Sequence, residues 1–222
     1  MKKSKLVICL IIVILIVSIS FLIFSKKTVK VFKNGKTKTS QEIVDFILNI
    51  SSYNLKVTVE VISNKNSNKY ILNQEYIEPN ICKQEVIEPS NISGVKITKE
   101  GSNLKLENSK LNLNTVFENY NYLGDNCLDL ICFIENYKTN TESEFIEEDG
   151  QIIMKTRSGN ENKYIKNKIL YVDKQTYKPT KLEIKDNNEK TTVYILYNEV
   201  EINSSKKEEI VAFENSIFKT NI

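Results

Sequence analysis

The 222-residue chain lacks histidine and tryptophan, and Arg157 is its only arginine. Without histidine there is no imidazole base for a serine or cysteine nucleophile, and no zinc site that uses histidine. A single arginine disfavours phosphate clamps and base readout, which use the planar guanidinium fork. Glycine is also scarce, with six residues and no glycine-rich phosphate loop. The sequence therefore predicts no catalytic, cofactor-binding or metal-binding residues and favours a protein that acts by binding.

Charged residues are missing from one long stretch, residues 6–24, which lies between Lys5 and Lys26. As a helix these 19 residues would measure roughly 28 Å, close to the ~30 Å hydrocarbon core of a bilayer. We interpret residues 1–27 as an uncleaved signal anchor that crosses the membrane once. The predicted membrane-anchor positions are Leu6, Ile12, Ile16, Phe21 and Phe24.

Two alternatives to the anchor stay open. A cleaved signal peptide would use the small residues Ser18 and Ser20, although the apolar run continues to Phe24. A lipoprotein signal would use Cys9, which has no small residue before it. Lysines flank both ends of the run, so the positive-inside rule does not decide the orientation. A long trailing domain usually crosses the membrane, so we expect an extracytoplasmic C-terminal domain.

The formal charge of +3 comes from the flanks of the apolar run. Five of the 31 basic residues lie in residues 1–27, so residues 28–222 hold 26 basic and 28 acidic side chains, a net charge of −2. The domain is therefore mildly acidic, and no nucleic-acid motif accompanies it. The sequence predicts no nucleic-acid partner.

Hydrophobic periodicity predicts an α+β fold. Apolar residues at helical spacing predict short helices over residues 40–51 and 128–137. Alternating residues such as Leu55, Val57 and Val59 predict strands. The strands are expected at residues 55–61, 70–77, 81–87, 95–98, 104–106, 111–113, 151–157, 163–172, 179–185 and 191–202.

About ten such strands must curl or split into two sheets. The predicted fold class is an N-terminal transmembrane helix followed by a curled antiparallel half-barrel sheet that covers two short helices. The predicted divisions are the anchor (1–27), a linker (28–39) and the extracytoplasmic domain (40–222).

Three groups of side chains are candidates for a role. Cys127 and Cys132 are candidates for a disulfide, whereas the alternative makes them, with Cys82, small buried apolar residues. The acidic residues 142–149 lack the spacing of a calcium loop and are expected to be a solvated loop. Tyrosine suits interfaces because it joins an apolar ring to a polar tip. The candidate partner surface consists of Tyr120, Tyr122, Tyr194 and Tyr197.

Three stretches resemble one family: residues 83–98 (KQEVIEPSNISGVKIT), 106–122 (LENSKLNLNTVFENYNY) and 171–203, which begins YVDKQTYKPTKLEI. They are similar to the germination lipoproteins of spore-forming bacteria, the GerS group, whose fold is similar to the LolA and LolB lipoprotein carriers. The resemblance implies a LolA-like half-barrel and a non-enzymatic role in sporulation or germination. It also implies that the chain binds and activates an N-acetylmuramoyl-L-alanine amidase acting on spore cortex peptidoglycan. The chain departs from that group because no cysteine is well placed for lipid attachment.

The alternative function is a lipid or lipoprotein carrier. Such a protein needs an empty apolar cavity of roughly several hundred Å³ under the sheet. An accessory protein can fill the same space with side chains and use its surface instead. Cavity volume therefore distinguishes the two hypotheses, and the predicted tether at residues 6–24 favours the accessory protein.

Overall fold

The computed structural model describes residues 38–63, 65–120, 128–162 and 164–203, without the side chains of residues 160–162. The chain divides into two units, Met1–Thr37 and Lys38–Ile222, and all described elements belong to the second. The predicted anchor and almost all of the linker lie outside the described residues. Among the residues described, no helix has the length and apolar character that crossing a membrane requires.

The described part of the chain contains two α-helices and eleven strands. The helices are α1 (Ser40–Leu48) and α2 (Leu130–Thr139), and a 3-10 turn occupies Ser109–Leu111. The first six strands are β1 (Ser52–Ile62), β2 (Ser67–Ile77), β3 (Ile81–Glu88), β4 (Lys96–Glu100), β5 (Asn103–Asn108) and β6 (Leu113–Phe117). The other five are β7 (Glu144–Glu148), β8 (Gln151–Asn162), β9 (Ile165–Asp173), β10 (Pro179–Lys185) and β11 (Thr191–Ile202).

The strands form one open antiparallel sheet in the order β6-β5-β4-β3-β2-β1-β11-β10-β9-β8-β7. Each half of the chain builds a meander that runs outward from the central pair β1 and β11. We call β3–β6 the first wing and β7–β10 the second wing. β6 and β7, the outermost strands of the two wings, are the edges of the sheet. The connection between these two strands carries α2. The predicted antiparallel sheet with two short helices is confirmed.

Local sequence explains why α1 begins at residue 40. Thr39 and Glu42 form a capping box, in which the Glu42 Oε2 accepts from the Thr39 backbone N–H at 2.6 Å. The Glu42 backbone N–H donates in return to the Thr39 Oγ1 at 3.3 Å. Ile43, Val44 and Ile47 then follow at helical spacing and are buried.

The core lies between the helices and one face of the sheet. Alternate residues of β1, among them Tyr53, Val57 and Val59, point into it and are at most 1 % exposed. From α2, Phe133 and Ile134 are fully buried, and both helices pack against β8. These side chains belong to one apolar cluster with the buried residues of the central strands, so the helices and the sheet share a single core among the described residues.

The second wing also buries a cation. Lys168 of β9 is 1 % exposed, and its Nζ donates to the Asn136 Oδ1 of α2 at 2.8 Å and lies 3.6 Å from the Cys132 Sγ. A hydrogen-bonded partner is what makes a buried ammonium tolerable. The contact therefore fixes α2 over this wing.

Two predicted elements are wrong. The solvated loop expected over residues 142–149 is instead largely strand β7 (Glu144–Glu148), which pairs with β8. The hairpin is closed by Asp149 and Gly150, which both have positive φ, as the tight turn requires. The strand predicted at residues 111–113 instead begins at Leu113, because Asn108 caps the 3-10 turn that contains Leu111.

Candidate protein-docking surface

The edge strand β6 and the turn before it carry a concentration of exposed apolar side chains. Leu111 is 55 % exposed, Val116 53 % and Phe117 43 %. They are three of the six large apolar residues that are exposed in the described part of the chain. The rings of Phe117 and Tyr120 lie 6.1 Å apart, so the apolar surface continues past the strand. An exposed apolar cluster at a sheet edge is typical of a protein contact.

Both ends of this segment are held in place by hydrogen bonds. The buried Asn108 accepts at Oδ1 from the backbone N–H groups of Lys110 (2.9 Å) and Leu111 (3.1 Å), and its Nδ2 donates to the Ser93 carbonyl at 3.3 Å. At the other end, the Tyr120 backbone N–H donates to the Ser102 carbonyl at 2.7 Å. The apolar side chains are therefore presented on an ordered support.

The two faces of the first wing differ in character. The register places Leu104 and Phe117 on the same face as the buried Tyr76, together with Ile97 and Leu106. None of the apolar residues of β4, β5 or β6 belongs to the fully buried core. The opposite face is charged and carries three ion pairs: Lys83–Glu75 (3.6 Å), Lys96–Glu85 (3.9 Å) and Lys105–Glu107 (2.8 Å). In each of these pairs, a lysine lies beside a glutamate of opposite charge.

The opposite edge of the sheet, β7, is charged. The Glu147 carboxylate accepts from Lys174 and from the Ser40 hydroxyl at the start of α1. The hydrogen bond from Lys174, followed by that from Ser40, lowers the pKa of Glu147. Glu144 lies 3.8 Å from Lys155 on the neighbouring strand. Edge strands that carry charges resist pairing with a further strand.

A small polar cluster lies where α2 begins under β2 and β3. The Gln74 Nε2 donates to the Leu128 carbonyl at 3.3 Å, and Gln84 donates to Asp129. Burial, with a smaller contribution from Asp129, raises the pKa of the Cys82 thiol to about 12. Because a nucleophilic cysteine needs a lowered pKa, the surroundings of Cys82 keep it neutral and unreactive. In the residues described, no group of three histidine, cysteine, aspartate or glutamate side chains could hold a metal ion.

A large cleft opens where several turns meet at one end of the sheet. Its volume is about 1140 Å³, and its walls include Val61, Ile62, Ile165 and Val193. Its lining also includes Lys65 and other charged or amide side chains. The cleft is therefore an open, mixed surface at the strand ends, and Val61, Ile165 and Val193 connect its lining to the core.

Comparison with known families assigns the chain. A family model described as "Sporulation protein YdcC-like" matches residues 3–211. The chain belongs to the YdcC-like sporulation protein family. The predicted link to sporulation is thereby confirmed. A search of curated proteins finds no match.

Similar solved structures include a complex of the CwlD amidase with the GerS lipoprotein from Clostridioides difficile. The match has 26 % identity, covers 78 % of this chain and 98 % of that one, and has a TM-score of 0.44. An uncharacterised conserved protein from Thermus thermophilus has 10 % identity, coverage of 78 % and 92 %, and a TM-score of 0.48. A LolA superfamily protein from Nitrosomonas europaea has 11 % identity, coverage of 77 % and 96 %, and a TM-score of 0.42.

These names agree with the predicted resemblance to the GerS and LolA groups. The TM-scores are all below 0.5, so these likenesses by themselves assign no function to this YdcC-like chain. Its function has to be argued from family membership and from its own residues.

The predicted tyrosine surface is not assembled as one patch among the described residues. Tyr120 is half-buried beside Phe117, and Tyr194 lies half-buried on the outer face of β11. Tyr197 is only 9 % exposed, because the alternation of β11 turns it toward the core with Val193 and Ile195. Tyr197 is therefore corrected from a surface to a core residue. Tyr122 lies outside the described residues.

The predicted disulfide stays a prediction, because Cys127 lies outside the described residues. Cys132 is buried on α2, near Lys168. The docking surface on β6 was missed by sequence reasoning. Its signal was the uncharged run 111–117, which lies between Lys110 and Glu118 in a chain that is 27 % charged.

Proposed function

We propose that this chain is a membrane-tethered, non-enzymatic accessory protein of sporulation or germination that binds and activates a cell-wall N-acetylmuramoyl-L-alanine amidase. Membership of the YdcC-like sporulation family supports the biological setting. The resemblance of residues 83–98, 106–122 and 171–203 to the germination lipoproteins supports the amidase as partner. The observation that carries the binding role is the exposed apolar cluster on and beside β6.

The same proposal includes the tether. Residues 6–24 would anchor the chain in the membrane, with the sheet domain outside the cytoplasm, in the forespore membrane region of a spore former. The uncharged run between Lys5 and Lys26 supports this placement. A tether raises the local concentration of the domain near the cell wall.

A surface of this kind can support a specific complex. Stable interfaces bury about 800 Å² on each partner, and a few apolar or aromatic anchors dominate the binding free energy. Leu111, Val116 and Phe117 supply such anchors on an ordered edge. The neutral Cys82 thiol offers no covalent chemistry, which agrees with a role in binding.

The second candidate is a lipid or lipoprotein carrier, favoured by the cleft of about 1140 Å³ at the strand ends. Its volume is sufficient for a lipid, but charged and amide side chains line it together with the apolar ones. Phe133, Ile134 and Met154 are fully buried and belong to one apolar cluster with Val57 and Ile195 of the central strands, so side chains occupy the described core under the sheet. These observations favour the accessory protein.

The test is co-production of the full-length tagged chain with the amidase of the same organism, followed by purification in mild detergent. We expect the amidase to co-purify and to cleave cortex peptidoglycan faster with the chain than alone. Lipid extracts of the purified chain are analysed by mass spectrometry in parallel. Stoichiometric lipid without bound amidase would overturn the proposal in favour of the carrier.

A further inference from the structure

The two edges of the sheet offer an incoming strand very different surfaces. β7 carries three glutamates, and Glu147 is tied to Lys174 and to the start of α1. β6, with the sequence LNTVF, carries no charge. Because exposed edges invite pairing with other chains, proteins usually protect them with charges, prolines or covering elements. β6 has neither charge nor proline.

The described surroundings of β6 also suit an uncharged strand. Lys105, which lies opposite Val116 in the register, pairs with Glu107 at 2.8 Å, so the neighbouring charges balance each other. A charged strand would gain no partner on β6 and would lose hydration there, whereas an uncharged strand would not. The exposed Val116 and Phe117 lie on opposite faces of the edge, so an added strand can contact apolar side chains on both faces.

We propose that β6 is the site where an extended, uncharged, apolar segment of the amidase adds to the sheet as a twelfth strand. The inference rests on the proposed function and specifies its binding mode. The five residues of β6 span about 17 Å at ~3.4 Å per residue, enough to pair with a segment of similar length. Backbone hydrogen bonds would supply the pairing. Side-chain contacts with Val116 on one face and Phe117 on the other would supply the specificity.

The experiment compares one charged substitution on each edge. The sign of each new charge is opposite to that of the neighbouring charged side chains. Val116→Glu places a carboxylate opposite Lys105, and Ile146→Lys places an ammonium between Glu144 and Glu148. Both therefore introduce a charge beside its opposite, which preserves the fold. The full-length variants in detergent are titrated with the purified amidase, and amide hydrogen exchange is measured with and without it.

We expect Val116→Glu to weaken amidase binding about tenfold or more and Ile146→Lys to change it less than about twofold. Amides of residues 113–117 should exchange more slowly in the complex, while those of β7 should not. The inference is overturned if the amidase binds the wild type but both variants weaken that binding equally. It is also overturned if the amidase binds but does not slow amide exchange at β6. Either result leaves the proposed function in place. No wild-type binding overturns both.

A second copy of the chain is another outcome of the same experiment. If Val116→Glu abolishes self-association in sedimentation velocity and leaves amidase binding unchanged, β6 pairs with itself. That result also overturns the inference.

Discussion

The two wings of the sheet are built from similar hairpins, yet they differ in how they are stabilised. The second wing packs against α2, buries Leu170 and Met154 completely, and closes its edge with charged β7. In the first wing, β4–β6 contribute no apolar residue to the fully buried core. The difference shows that one meander forms the stable support while the other presents a surface.

Position in the sheet, more than local composition, sets this difference. β5 carries Leu104 and Leu106 on its inner face, a pattern that could equally belong to a buried strand. Both residues are only half-buried, because β5 lies five strands from β11 while the helices pack on β8. A surface that binds a partner needs such apolar residues near solvent, at a cost in folding stability.

Truncating the same side chain in each wing would have the largest effect on stability. Leu170→Ala removes a fully buried side chain from β9 and should lower the free energy of unfolding by about 3 kcal/mol or more. Leu106→Ala on half-buried β5 should cost about 1 kcal/mol. Urea unfolding of the full-length protein in detergent, followed by circular dichroism, measures both. Equal losses would contradict the difference between the wings.

Removing the hydrogen-bond acceptor of the buried Lys168 should give a smaller loss of folding stability, which is specific to the second wing. Asn136→Ala removes the Oδ1 that accepts from Lys168 Nζ at 2.8 Å, and we expect a loss of about 2 kcal/mol. Lys138→Ala on the exposed face of α2 is the control and should change stability by less than about 0.5 kcal/mol. Similar values for the two variants would show that the Lys168 contact does not hold α2 on the sheet.

Local features could be predicted from the sequence. The period of two in Leu55, Val57 and Val59 indicated β1 correctly, and Ile43 and Ile47 indicated α1. In both elements, buried residues recur at a regular spacing over enough residues for the period to be recognised. Strand β7 was missed because only Phe145 is half-buried, and the glutamates on it hide the alternation.

The uncharged run 111–117 alone could not locate the docking surface, because the exposure of these residues depends on strand order. Val116 and Phe117 are typical strand residues, and their exposure follows from β6 being the last strand of its meander. The pairing of β1 with β11, which are distant in the chain, makes β6 and β7 the edges. Tyr197 was misplaced for a related reason, since the register of β11 turns its side chain inward.

Lowering the pH should reduce the contribution of the β7 edge to stability but not that of the β6 edge, and this effect should be smaller than those above. The hydrogen bonds that the Glu147 carboxylate accepts from Lys174 and Ser40 lower its pKa below the ordinary 4.5, so Glu147 stabilises the fold most fully above that value. This contribution is lost as the pH falls through the lowered pKa of the folded state. The Tm difference between wild type and Glu147→Gln should therefore be present at about pH 7 and shrink below about pH 4.

The matching control lies on the other edge, because β6 carries no titratable side chain. The Tm difference between wild type and Phe117→Ala should stay constant over the same pH range, since it reflects apolar contact alone. A constant offset for Glu147→Gln as well would mean that Glu147 does not tie β7 to α1. The second wing would then be held by its apolar core alone, and the contrast between the edges would concern only the binding of partners.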